Sequence, residues 1–390
     1  MSNTTPPPFD SAKLDGLLAE RGVDALLATS FHNVQYLLGN GYRFFLHALH
    51  DSLGPSRYLP VVAYRAGRPE DTLYVGARNE GQALEADPVW VPEARTVSWS
   101  AGHAAEEAAA RLRAWDLSAG TVAVEAPYLP AEAADALRRA LPGVTWADAT
   151  EVLEELRAVK SPAELDLIRE ATEAVVASIV ATFSASSAGE SERTIAERLR
   201  REETARGLTF DYCLVAAGPS LNRAPSDVVL RPGAVLSLDS GAHRHGFVAD
   251  VARMGVAGEP GPRHEALLTQ VAHVQSAARA LVRAGTRGGD LIAAGEAAVA
   301  ACDDAAGMGF TAHGCGLVTH EVPRLRAPGS PSSPGTHAER PLEAGMVISV
   351  ETEATDAEVG FVKLEDTVVV GADGPEPLAD FGRGWNRVGG

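Results

Sequence analysis

Two pairs of acidic residues and one histidine in the C-terminal part of this 390-residue chain have the types and spacings to do metal chemistry. Asp239 and Asp250 stand eleven residues apart in LSLDSGAHRHGFVADVAR, and Glu351 and Glu365 stand fourteen apart in ISVETEATDAEVGFVKLED. His313 falls between the pairs in AHGCG. Each acid lies in or beside an apolar, β-branched run, where a carboxylate without a counter-charge is costly to bury. Four carboxylates and an imidazole suit a pair of divalent cations, and a two-metal centre activates water and polarises a substrate carbonyl. Such ligands favour manganese, cobalt, zinc or iron over copper(I). Taken singly, each acid reads more simply as a surface or ion-paired residue, and His313 as a hydrogen-bonded core or loop histidine. The chemistry rests on the whole set.

Strands must position these groups. Alternation along LSLDSG puts Leu236 and Leu238 on one face and Ser237 and Asp239 on the other. A hairpin folding back through Gly246 can bring Asp250 opposite Asp239 on that face. A turn near Gly360 can do the same for Glu351 and Glu365, with the register left open. Upstream, Ser161, Pro162 and Glu164 form a capping-box signature for a helix running to about Phe183. A second helix is expected from about Glu190 to Arg206, then two strand-like runs. Two more helices, roughly His264 to Ala284 and Asp290 to Ala306, precede the last antiparallel region. The order helix, helix, strand pair thus occurs twice across residues 160–370, a weak repeat of pattern in which each half brings its own acidic hairpin. Before residue 150, helical and strand-like segments alternate from Asp10 onward, which predicts an α/β domain with a mixed sheet.

The whole chain narrows the class. Its length favours two domains. A composition of 45% hydrophobic and 22% charged residues excludes the disordered class. A formal charge of −18 argues against nucleic acid or an anionic membrane as partner. Cys213, Cys302 and Cys315 have neither metal-ligand spacing nor the makings of a disulfide framework. With no signal-peptide pattern in MSNTTPPPFD and no apolar run of about 18 residues, a soluble cytoplasmic protein is expected.

The stretches carrying the five residues, namely 226–253, 312–325, 340–353 and 362–370, resemble the pita-bread metallopeptidases: Xaa-Pro aminopeptidase, prolidase, methionine aminopeptidase and the related creatinase. RAVKSPAELDLIREA (157–171) resembles that family's junction before its catalytic domain, and VDALLATSFHNVQYLLGNGY (23–42) resembles the N-terminal domain of the prolidase and creatinase branch. The resemblance implies an α+β chain. Residues 1–157 would form a creatinase/prolidase-like mixed-sheet domain, and residues 158–390 a pita-bread catalytic domain with pseudo-two-fold halves. It further implies that Asp239 binds one metal, that Asp250 and Glu365 bridge two, and that His313 and Glu351 complete the second. Glu351 would also transfer a proton, and His320, in THEVP, would contact the substrate and stabilise the tetrahedral intermediate. Without the resemblance, His320 reads as a loop histidine.

The pattern also departs from the family's. Asn222 or a neighbour stands where a Pro-His pair is usual, and Ala252, Arg253 and Met254 replace Thr-Arg-Thr. Thr352 and Glu353 replace Pro-Gly, and Lys363 replaces an arginine, a point charge in place of a planar fork. These changes bear on substrate more than on metal. The expectation is therefore a metal-dependent hydrolase of a peptide or amide C–N bond, Xaa-Pro peptidase-like, using two divalent ions with manganese foremost, and forming a homodimer. A non-peptide amidohydrolase or lyase, or a catalytically silent binding protein, is the alternative. His243 and His245 read as a polar hairpin tip rather than added ligands. His32 and His47 read as surface residues, or as groups that line a cleft from the N-terminal domain or from a neighbouring subunit. Residues 327–341 read as a flexible loop, and GCG after His313 is too short for a phosphate loop.

Overall fold

The computed structural model describes residues 6–389, except 40, 42, 44, 50–52, 55 and 326–336. Most of the expected loop at 327–341 and the first five residues of the N-terminal arm therefore lie outside the described residues. The chain divides into two compact units, Met1–Arg157 and Ala158–Gly390. Among the described residues, no helix is long and apolar enough to cross a membrane.

The first unit is built on a six-stranded sheet. Its strands are β1 (Ala25–Ala28), β2 (Val61–Arg65), β3 (Arg68–Ala77), β4 (Glu93–Ser98), β5 (Thr121–Val124) and β6 (Thr145–Asp148), in the order β4-β3-β2-β1-β5-β6. β1–β2 and β2–β3 are antiparallel and the other pairs parallel, so the sheet is mixed. The helices are α1 (Ser11–Glu20), α2 (Phe31–Leu38), α3 (Gly81–Ala86), α4 (Ala101–Ala114), α5 (Ala131–Ala140) and α6 (Thr150–Leu156). The alanine-rich face of α4 packs into the core with Leu27, Val61 and Val75. At the start of α2, buried Glu125 accepts from the backbone N–H of Thr29 at 2.5 Å and Ser30 at 2.9 Å, and from Asn33 Nδ2 at 2.6 Å. His32 is buried here, edge-on to Tyr128 at 5.1 Å, which removes the surface placement from the two readings offered for it. His47 Nε2 lies 2.8 Å from Gln35 Oε1.

The second unit repeats its pattern. Its first half runs α7 (Pro162–Ala185), α8 (Glu192–Ala205), β7 (Thr209–Ala217), β8 (Val235–Arg244) and β9 (Phe247–Val256). Its second half runs α9 (Pro262–Arg279), α10 (Gly288–Ala300), β10 (Met308–Gly314), β11 (Val347–Asp356) and β12 (Gly360–Val370). The strands share one sheet in the order β10-β11-β12-β9-β8-β7, extended by β13 (Pro375–Pro377) on β12 and β14 (Asn386–Arg387) on β9. The order is symmetric about the β12–β9 seam, as the repeated pattern requires.

The capping box forms: Ser161 Oγ accepts from Glu164 N, and Glu164 Oε2 accepts from Ser161 N at 2.7 Å. α8 starts at Glu192 rather than near Glu190 because Ser191 is its N-cap, while Glu190 pairs with Arg198. α9 and α10 end at Arg279 and Ala300, short of the expected ends.

One face of the sheet is apolar. Cys213, Val215, Leu236, Leu238 and Val251 pack with Ile179 and Phe183 of α7, while Ala312, Ile348, Val350 and Val368 pack with Leu291 of α10. Side chains alternate along a strand, so the residues between these necessarily point to the opposite face. Two charged groups breach the apolar face together. Fully buried Arg253 of β9 ion-pairs with Asp366 of β12 at 2.7 Å and donates to the carbonyls of Glu365, Ala379 and Phe381. Asp366 also meets Arg279 at 3.1 Å and Arg383. Burial opposes its charge, but these three arginines hold its carboxyl below the ordinary value. The cluster braces the seam from behind.

Candidate metal centre

The functional face is set by register. Reading across β10, β11, β12, β9, β8 and β7, one row contains Thr311, Glu351, Glu365, Ala252, Asp239 and Leu214. Two residues along the strands, on the same face, stand His313, Ser349 and Thr367 on one half, and Asp250, Gly241 and Tyr212 on the other. Thr367 Oγ1 donates to Asp250 O at 2.9 Å, linking the halves across the seam. Two residues the other way, Glu353 pairs with Lys363.

Glu351 thus sits directly opposite Glu365, as a turn near Gly360 allows. Asp250 is not opposite Asp239: it pairs with Gly241 and Asp239 pairs with Ala252, so the two acids are diagonal neighbours. The cause is the two-residue turn. Arg244 pairs with Phe247, leaving His245 (φ 51°) and Gly246 (φ 87°) as its centre. A turn with both central residues at positive φ fixes the register of everything beyond it. His243 lies beside Asp211 at 2.9 Å, away from the acids.

The structure brings Asp239, Asp250, His313, Glu351 and Glu365 together. Ligand atoms of Asp239, Asp250 and Glu365 lie within 4.8 Å of one another, as do those of His313, Glu351 and Glu365, and those of Asp250, His313 and His320. His320 stacks on His313, with ring centroids 3.8 Å apart and an interplanar angle of 14°. Asp239, Asp250, His313 and Glu365 are buried, while the Glu351 side chain keeps 17% of its exposure. His313 Nε2 lies 3.8 Å from both Glu351 Oε1 and Glu365 Oε1, is buried, and has no hydrogen-bond partner among the described residues. Burial, then the charges of Glu365 and Asp239, push the Asp250 carboxyl well above its ordinary value. A desolvated acidic cluster and an orphaned imidazole nitrogen fit a cation, the one partner that would relieve both.

Supporting residues come from further away. Tyr212 donates its hydroxyl to Asp250 Oδ1 at 2.5 Å. Its ring occupies the space a side chain at position 241 would need, since a Cβ there would run into Tyr212 Cε1, so glycine is required in β8. Ser349 donates to Glu365 Oε1 at 2.8 Å. The His320 loop is anchored one residue on, where buried Glu321 meets Lys160 Nζ at 2.8 Å.

Two cations enter the cluster that sequence reasoning left without a contact. Lys363 Nζ lies 2.7 Å from Asp239 Oδ2, 2.5 Å from Glu351 Oε2 and 2.8 Å from Glu365 Oε2. Burial opposes its charge, but Glu365, Asp239, Glu351 and Asp250 together hold the ammonium well above its ordinary pKa. Arg223 pairs with Asp239 Oδ2 and lies over the Phe361 ring at 5.0 Å, whereas neighbouring Asn222 is exposed. The alternation in VKLED places Lys363 on the face of Glu365 and could have signalled the first contact. Arg223 sits in an irregular segment with no periodicity to read. These groups border a cavity of about 360 Å³ lined by Tyr212, Arg223, Asp250, His320, Glu351 and Lys363, among others.

Comparison with known proteins identifies the family. Residues 166–372 match the model of metallopeptidase family M24, and residues 11–159 match the creatinase/prolidase N-terminal domain. The uncharacterized peptidase YqhT of Bacillus subtilis (strain 168) is 29% identical over 231 residues, which is 57% of this chain and 63% of that protein. The Xaa-Pro dipeptidase of Pyrococcus horikoshii is 25% identical over 236 residues, 58% of this chain and 64% of that protein. The aligned part of the chain thus spans a little under two thirds of each relative. The crystal structure of X-Pro aminopeptidase from Thermotoga maritima MSB8 superimposes with a TM-score of 0.77 at 20% identity, covering 97% of this chain and 99% of that one, which establishes the shared fold. Since the family model spans more than half of the sequence, the chain belongs to metallopeptidase family M24.

Proposed function

We propose that this chain is a metal-dependent peptidase that cleaves the amide bond of a small Xaa-Pro peptide. The observation that carries the reading is the convergence of four carboxylates and an orphaned imidazole on one sheet face beside an open cavity. Asp239, Asp250, His313, Glu351 and Glu365 would form the metal centre, with manganese the first ion to test. When bound, a divalent ion supplies Lewis acidity that activates water and polarises the scissile carbonyl. Glu351 keeps an edge toward the cavity, and would accept the attacking water's proton and pass it to the leaving nitrogen. His320, in the cavity wall, would donate to the carbonyl oxygen as charge develops there. The Tyr212 hydroxyl orients Asp250. A homodimer in the cytoplasm belongs to the same reading, tested by light scattering and cell fractionation.

Glu365→Gln is expected to lose bound metal and turnover of Xaa-Pro dipeptides together, and Asp239→Asn to lose turnover. Full activity in either variant after chelation refutes the metal reading. A second reading, hydrolysis of a small non-peptide amide, is favoured by Arg223 and Lys363 in the cavity wall. Failure of a panel of Xaa-Pro di- and tripeptides in the presence of Mn(II) or Co(II) selects it.

A further inference from the structure

The Lys363 ammonium stands where a metal ion would be expected. The Asp239, Asp250 and Glu365 set forms one potential cation position and the His313, Glu351 and Glu365 set forms another, so Glu365 is common to both. Lys363 Nζ contacts two of the three acids of the first set, at 2.7 Å from Asp239 and 2.8 Å from Glu365, and is itself buried. Arg223 holds the same Asp239 oxygen.

The second set is left differently. Lys363 takes the Oε2 atoms of Glu351 and Glu365, while their Oε1 atoms each stay 3.8 Å from His313 Nε2. Ligand atoms of these three residues all lie within 4.8 Å of one another, a spacing that a single bound ion with bonds of about 2.1 Å would draw in only slightly. Charge leads to the same position. The four carboxylates carry four negative charges, and the two protein cations in contact with them return two, leaving the charge of a single divalent ion. Glu353, cross-strand from Lys363, makes no ion pair with it among the described residues. An ammonium is compact enough to sit among several oxygens, whereas a guanidinium presents a planar fork along an edge.

We propose that Lys363 serves as a built-in second cation, so that this chain holds one divalent ion, at His313, Glu351 and Glu365, in place of the pair expected from its family resemblance. The proposal rests on the metal-dependent reading above and fixes its stoichiometry.

Bound metal decides the matter independently of turnover. The full chain, stripped with chelator and dialysed against Mn(II), is compared by elemental analysis with Lys363→Met and Lys363→Gln, each checked for folding by circular dichroism. The expected result is about one equivalent per wild-type chain and about two in either folded variant. About two equivalents in the wild type, or about one in the folded variants, overturns the proposal and leaves the metallopeptidase reading intact. Less than about 0.2 equivalents in all three proteins overturns both.

Discussion

Glu203 carries a pH dependence that can be worked from its surroundings. It lies on α8, fully buried against β8, with Oε1 2.9 Å from Ser240 Oγ and Oε2 without a hydrogen-bond partner among the described residues. Ser240 Oγ also lies 2.8 Å from the Tyr212 carbonyl, and its single proton can serve only one of these neighbours. A protonated Glu203 satisfies all three groups: the acid donates to Ser240, and Ser240 donates to the carbonyl. Burial pushes the Glu203 carboxyl up to about 8, the Ser240 hydrogen bond pulls it down, and the charge of Asp211 adds a smaller upward push. The unfolded chain ionises near the ordinary value of 4.5. Between these limits the folded state holds a proton that the unfolded state has released, so stability is full below the lower value and falls as pH rises toward the upper. At 1.36 kcal/mol per unit, the whole window is worth roughly 4–5 kcal/mol. Glu203→Gln keeps a donor for Ser240 and removes the titration. Urea unfolding of both proteins should show the variant gaining roughly 3 kcal/mol on the wild type between about pH 5.5 and pH 8. A difference constant to within about 0.5 kcal/mol over that range would mean that Glu203 is already ionised in the fold, and the argument fails.

His320→Ala should lower kcat by about 10²–10³-fold while leaving bound metal unchanged, because the ring faces the cavity and stacks on His313. Paired kinetics and elemental analysis check this, and an unchanged kcat refutes the role. Asp366→Asn should cost about 3–5 kcal/mol, since it leaves buried Arg253 without its carboxylate at the seam. Chemical denaturation measures it, and a loss below about 1 kcal/mol would show that the backbone carbonyls around Arg253 suffice.

Much of this molecule is legible in its sequence because alternation along a strand needs no knowledge of the partner strand. Leu238 against Asp239 and Val350 against Glu351 assign each acid to the face opposite the helices. The capping box at Ser161 is equally local. Register is harder. The diagonal placement of Asp250 follows from His245 and Gly246 forming a two-residue turn, and a histidine at positive φ gives little warning of it. Contacts across the seam are the least legible. Arg253 with Asp366, and Thr367 with Asp250, depend on β12 meeting β9, strands more than a hundred residues apart. Arg223 reaches Asp239 from a segment whose path no periodicity describes.

The pairing of Lys160 with Glu321 makes the family boundary a poor place to cut. The segment matched to the family begins at residue 166, but the residue that secures the loop of His320 lies six positions earlier, and its ammonium also donates to the carbonyl of Ala158. A fragment trimmed to the homologous segment would discard the tether of the loop that carries His320. The few residues that read as a mere connector are thereby part of the scaffold of the candidate site.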